Sequence, residues 1–108
     1  MIKHKNIIHG LIKILNDVEA DWADRDDAAT ELGNYDDFDG LNALIKVGSR
    51  KKEDDTLKET CGESIAQIWL RQKTIDIDAL QSLDSITKQQ VIALLQTHNP
   101  NLIKDYDP

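Results

Sequence analysis

The chain has 108 residues, the length of one domain, and its 40% apolar and 31% charged residues indicate a globular, soluble protein. Its net charge of −7 argues against direct binding to nucleic acid or to an anionic membrane, since both need clusters of Lys and Arg. Cys61 is the only cysteine, which excludes an intrachain disulfide, and the lack of a leader-like or bilayer-length apolar segment predicts a cytoplasmic protein that does not bind membranes.

Apolar residues recur at helical spacing along the chain, and strong strand signals are missing. The pattern predicts an all-α fold of six helices, at about 5–19, 22–34, 37–50, 55–72, 77–83 and 85–98. Pro100 ends the last helix because proline disfavours helix in the residue before it. We therefore expect one helical domain over 1–100 and a poorly ordered tail over 101–108. The residues expected to be buried are Leu11, Leu15, Ala28, Leu32, Leu44, Ile45, Ile65 and Leu95.

An internal repeat is the most informative feature of the sequence. The segment 24–33 aligns with the segment 57–66 at an offset of 33 residues, and a weaker third copy covers 87–96. In the first two copies a basic residue, Arg25 or Lys58, is followed three and four positions later by two small residues, which let neighbouring helices approach closely. The pattern R-x-x-A-A-x-x-L-G resembles the HEAT-type repeat. This resemblance implies a short right-handed α-solenoid of about three antiparallel helix pairs; an irregular helical bundle is the alternative.

Motifs that carry chemistry are missing from the sequence. Cys61 lies on an apolar helical stripe, where an inert core thiol is expected. No pair of His or Cys residues has zinc-ligand spacing, and aligning Gly40 with the glycine of a calcium loop puts Lys46 where an acid is needed. We therefore expect no catalytic site, no metal and no cofactor, and we do not expect an enzyme.

A cluster of acidic residues is the remaining signal. Ten Asp and Glu residues lie between Asp17 and Asp39, with Arg25 as the only base among them. Helix capping by Asp21 and Asp37 explains part of this cluster, but like charges on one helix repel, so we predict an acidic binding face. Trp22 is either an anchor of that face or a packing residue of the first helix pair. The predicted partner-binding residues are Trp22, Asp24, Asp27, Glu31, Asp36, Asp37, Glu63 and Gln67.

These observations distinguish three classes of function: an inhibitor, a scaffold and an enzyme. Small acidic proteins with HEAT-like helices are similar to bacterial immunity proteins of contact-dependent growth inhibition, and that resemblance implies a basic partner, a toxin domain with nuclease activity. A HEAT-like scaffold or adaptor that binds a peptide or subunit in a larger assembly is the alternative. An enzyme is disfavoured, because no acid–base pair or nucleophile set is visible.

Overall fold

The structure, a computed structural model, describes residues 2–106, with side chains described from His4 onward. Six α-helices and a C-terminal 3-10 helix make up the fold, and this part of the chain contains no strand, which confirms the all-α prediction. Each predicted helix matches an observed one, with ends that differ by at most three residues. The helices are α1 (Ile2–Asn16), α2 (Trp22–Leu32), α3 (Phe38–Gly48), α4 (Asp55–Gln72), α5 (Ile77–Ser82) and α6 (Ser85–His98), and the 3-10 helix is Pro100–Ile103.

Aspartate side chains start four of the six helices. In α3, α4, α5 and α6 the residue before the helix is an aspartate whose carboxylate accepts a hydrogen bond from a free amide of the first turn. The four aspartates are Asp37, Asp54, Asp76 and Asp84. Asp21 precedes α2, but its carboxylate accepts no such bond. Capping therefore accounts for four of the twenty acidic residues of the chain.

The first four helices pack in two pairs, and these two pairs pack on each other. Helix α1 contacts α2 and α3 contacts α4, while α2 packs on α4 and α1 packs on α3. Helix α4 also packs on α6, so that it lies between two other helices. This position explains why α4, the longest of the described helices, has more buried residues than the others, among them Trp69 near its C-terminal end.

The core agrees with the predicted apolar stripes, with a few exceptions. Of the eight residues expected to be buried, six are, whereas Leu11 and Ile45 are only partly buried. Phe38, which falls on the predicted stripe of α3, is 76% exposed because it is the first residue of that helix and lies beyond the packed surface. Ala28 and Ala29 are both buried, as the repeat predicts.

Two cations are buried at equivalent places in α2 and α4. Arg25 donates through Nε to the Leu15 carbonyl at 3.0 Å and through both terminal nitrogens to Glu53 at 2.9 and 3.0 Å. Lys58 donates to the Lys51 carbonyl at 3.2 Å and to Asp84 at 2.9 Å. The hydrogen bonds from Arg25 hold the pKa of the Glu53 carboxyl below its ordinary value. Arg25 thus joins α2 to the loop before α4, and Lys58 joins α4 to the residue before α6.

Close contacts between α2, α4 and α6 depend on small residues. The Ser64 hydroxyl donates to the Ala29 carbonyl at 2.7 Å, across the contact of α2 with α4. A Cβ atom at Gly62 would lie 2.8 Å from the Thr87 carbonyl oxygen, so only glycine allows α6 to approach α4 this closely. The repeat pattern of small residues therefore marks helix contacts, as the sequence predicts.

The segment after α6 differs from the tail that we predicted. Residues 100–103 form a 3-10 helix that contacts α6, and Ile103 is only 7% exposed. Leu102 and Tyr106 are partly buried against the same core. Apolar burial therefore fixes this segment, although residues 107 and 108 lie outside the described part of the chain.

Candidate partner-binding surface

Trp22 joins α2 to the start of α4. Its indole Nε1 donates to the Asp54 carboxylate at 2.9 Å, while the same oxygen accepts from the Leu57 amide at 3.0 Å. The hydrogen bond from the Leu57 amide, followed by that from the Trp22 indole, lowers the pKa of the Asp54 carboxyl. The ring is 46% exposed, so Trp22 has a structural partner and still presents a face to solvent.

Asp36 and Asp37 are paired with cations of the chain itself. Arg71 donates to Asp36 at 2.8 and 3.0 Å, and Lys5 donates to Asp37 at 2.8 Å. Burial opposes ionisation of Asp37, but the bonds from Lys5 and from the Gly40 amide outweigh it and keep the pKa of this carboxyl below its ordinary value. Both carboxylates are therefore paired with cations of other helices, Lys5 of α1 and Arg71 of α4.

Asp24, Asp27 and Glu31 do lie together. They line one side of a shallow groove between α1 and α2, about 230 Å³ in volume. Its apolar floor consists of Leu11, Ile14 and Ala28. Among the residues with described side chains, none forms an ion pair or a side-chain hydrogen bond with these three carboxylates. Three exposed acids therefore line one side of an apolar groove, and no cation among the described side chains neutralises them. We call this surface the first-pair groove.

Sequence reasoning did not identify the floor of the first-pair groove. Helix α1 carries more aliphatic residues than one buried face requires, and this excess was the available signal. Ile8 and Leu15 point into the core, whereas Ile14 is 39% exposed and Ile7 is 48% exposed. An apolar surface beside unpaired acids can bind a side chain that is itself apolar along its stem and cationic at its end.

Glu63 and Gln67 line a different groove, between α4 and α6. This groove has a volume of about 470 Å³, and Leu70 and Leu94 form its apolar part. Gln90, on α6, donates to Glu63 at 3.4 Å. The structure does not bring these two predicted residues together with the first-pair groove, so they do not extend it.

Within residues 2–106, no group of three or more His, Cys, Asp or Glu side chains could hold a metal ion. Burial raises the pKa of the Cys61 thiol to about 12, so this cysteine stays protonated and unreactive. None of the described helices combines the length and the apolar character that crossing a bilayer requires.

Comparison of the chain with protein-family models, with curated proteins and with solved structures finds no match.

Proposed function

We propose that this chain is a protein-binding module, an immunity-type inhibitor that neutralises a basic toxin domain, most simply a nuclease, in the cytoplasm. One observation carries the proposal: Asp24, Asp27 and Glu31 line an apolar groove, and no cation among the described side chains pairs with them. Carboxylates that are held on one helix and left unpaired attract Lys and Arg of a partner. The function we infer requires binding alone and no catalytic step.

Inhibition of a nuclease needs no more than this arrangement. A nuclease binds phosphates with Lys and Arg, and the same side chains would bind carboxylates of an inhibitor. Complementary charge raises the association rate, and carboxylates that lose water against a cation slow dissociation. An inhibitor of this kind therefore competes with the substrate for the basic surface of the enzyme.

The proposal extends to the arrangement of the helices, which we interpret as a short right-handed solenoid of HEAT-like pairs. Support comes from the two buried cations. Arg25 and Lys58 are each the fourth residue of their helix. Arg25 reaches a carboxylate before α4, and Lys58 reaches one before α6. A contact that recurs with the repeat is typical of stacked helix pairs, in which each pair meets only its neighbours.

A scaffold or adaptor is the second candidate, and the groove between α4 and α6 favours it. Gln67, Gln90 and Asn99 bring side-chain amides to this groove beside the apolar Leu70 and Leu94. Amides both donate and accept hydrogen bonds, so such a groove suits the backbone of an extended peptide. This function would use Glu63 and Gln67 instead of the first-pair groove.

Growth rescue tests the proposed function. The reading frame directly upstream of the gene is expressed from an inducible promoter, with and without this chain, and colony survival and nucleic-acid integrity are measured. We expect growth arrest by the upstream product alone and full growth when the chain is co-expressed. Arrest that the chain does not relieve, or an upstream product without toxicity, would overturn the immunity function and leave the scaffold.

A further inference from the structure

The sequences of the first two helix pairs, α1–α2 and α3–α4, align without gaps. Every residue of the first pair therefore has a counterpart in the second. Asp21 precedes α2 and Asp54 precedes α4, so equivalent positions lie 33 residues apart. The buried cations Arg25 and Lys58 obey the same offset. The contacts of the second pair therefore show what the matching surface of the first pair is built to do.

The surface of α4 that packs on α2 has its counterpart in the acids of the first-pair groove. Thr60 donates to Asp26 at 2.6 Å and Ser64 donates to the Ala29 carbonyl at 2.7 Å, so both side chains face α2. At the offset of 33 residues, Asp27 corresponds to Thr60 and Glu31 corresponds to Ser64. These two acids consequently point to the side of α2 where a preceding helix would lie, and they are exposed there.

The apolar floor of the groove obeys the same correspondence. In α3, Leu44 and Val47 are completely buried. Their counterparts in α1 are Leu11, which is partly buried, and Ile14, which is 39% exposed. Helix α1 thus presents aliphatic residues at positions that are covered in the second pair, and nothing among the described residues covers them.

Charge decides what can cover this surface. Leu57 is fully buried in α4, and its counterpart in α2 is the exposed Asp24. Asp24, Asp27 and Glu31 thus place three carboxylates at the positions that Leu57, Thr60 and Ser64 occupy in the second pair. A second copy of the chain, docked groove to groove, would bring like charges together, which opposes association. A segment with Lys or Arg beside aliphatic residues satisfies both the floor and the acidic side.

We infer that the first-pair groove receives an amphipathic, basic helix of the partner. This helix packs alongside α1 and α2, as a further helix at the N-terminal end of the array. The partner helix places aliphatic side chains against Leu11 and Ile14 and places Lys or Arg against Asp24, Asp27 and Glu31. This inference rests on the proposed function and specifies the chemistry of the partner at that site.

A synthetic peptide tests the recognition directly. The probe is a fluorescent helical peptide of about four turns, with leucine on one stripe and lysine on both flanks, and its binding is followed by anisotropy and by amide chemical shifts. We expect shifts at α1 and α2 around the groove. The double variant Asp27→Lys/Glu31→Lys and the single variant Ile14→Asn should each weaken binding by about tenfold or more, which corresponds to about 1.4 kcal/mol.

The control has the same change in charge at acids outside the groove. Glu59 and Asp78 are exposed and lie on α4 and α5, so Glu59→Lys/Asp78→Lys should bind the peptide within about twofold of the unmodified chain. Circular dichroism checks that all variants fold. Equal weakening by both double variants, or chemical shifts confined to the groove between α4 and α6, would overturn the inference.

Growth rescue with the same variants separates the two proposals. If the unmodified chain fails to restore growth, the immunity function is wrong whatever the peptide does. If the unmodified chain restores growth and Asp27→Lys/Glu31→Lys restores it equally well, the immunity function stands, and the binding of a partner helix in the first-pair groove is wrong. Rescue that is lost only in the groove variants supports both.

Discussion

Removal of the Arg25 guanidinium should destabilise the protein more than any change of a surface charge. In Arg25→Met the Glu53 carboxylate loses two hydrogen bonds and the Leu15 carbonyl loses one. Both side chains of this ion pair are less than one-tenth exposed. Breaking a buried pair costs about 3–5 kcal/mol because one charge is left without a partner. Arg50, 3.7 Å from Glu53, retains part of the attraction, so we expect about 3 kcal/mol.

A double-mutant cycle in urea measures this coupling. Arg25→Met, Glu53→Leu and the double variant are unfolded at neutral pH, and the free energies of unfolding are compared. The double variant should lie within about 1 kcal/mol of the unmodified protein, because an apolar pair replaces the ionic one without leaving a lone charge. The single variants should lie well below it.

Arg71 provides the matched control. It donates two hydrogen bonds to Asp36, but the two side chains are 39% and 51% exposed. Arg71→Met should therefore cost less than about 1 kcal/mol. A cost for Arg25→Met no larger than that for Arg71→Met, or a double variant as unstable as Arg25→Met alone, would refute the account of the buried pair.

Four further predictions concern pH and packing. The pKa of Glu53 is lowered from 4.5, so its contribution to stability is present above that pH and is lost as the pH falls through the lowered value; acid unfolding curves should show a smaller loss for Arg25→Met, and an equal loss would exclude this origin. Leu44→Ala, at a completely buried position, should cost about 2–5 kcal/mol in urea unfolding, and a cost under about 1 kcal/mol would place the residue outside the core. Gly62→Ala should cost about 1–3 kcal/mol in the same assay, because the new methyl group meets backbone 2.8 Å away; unchanged stability would contradict the close approach. Thr87→Val should raise the melting temperature, since the buried Thr87 hydroxyl has no hydrogen-bond partner within the described residues, and a clear drop would mean that the hydroxyl is bonded.

Local signals predicted the helices and their closest contacts, but they could not predict which charged side chains pair between helices. Periodic aliphatic residues defined the helical segments, and the small residues of the repeat identified where helices approach closely. Pairing of Lys5 with Asp37 spans 32 residues and pairing of Arg71 with Asp36 spans 35, so neither can be predicted without knowing how the helices pack. This explains why the sequence suggested one broad acidic face, whereas the structure leaves three of its acids around one groove.

The C-terminal segment illustrates the same limit. A 3-10 helix of four residues has little stability of its own, and Pro100 after a helix reads as the start of a tail. Its order comes from docking Ile103 against the helical core, an interaction that no short-range pattern records. The apolar floor of the first-pair groove escaped prediction for a similar reason, because a stripe of aliphatic residues in the sequence does not tell which part of it stays uncovered.

The direction of the buried cation contacts has a consequence for synthesis on the ribosome. Glu53 follows Arg25 by 28 residues, so this guanidinium is made well before the carboxylate that neutralises it, whereas Lys58 already has Asp55 at 3.5 Å before Asp84 is made. A helix pair that closed earlier would bury a charge without its counterion, at a cost of several kcal/mol. The first pair therefore completes its packing only when the loop before α4 has emerged from the ribosome.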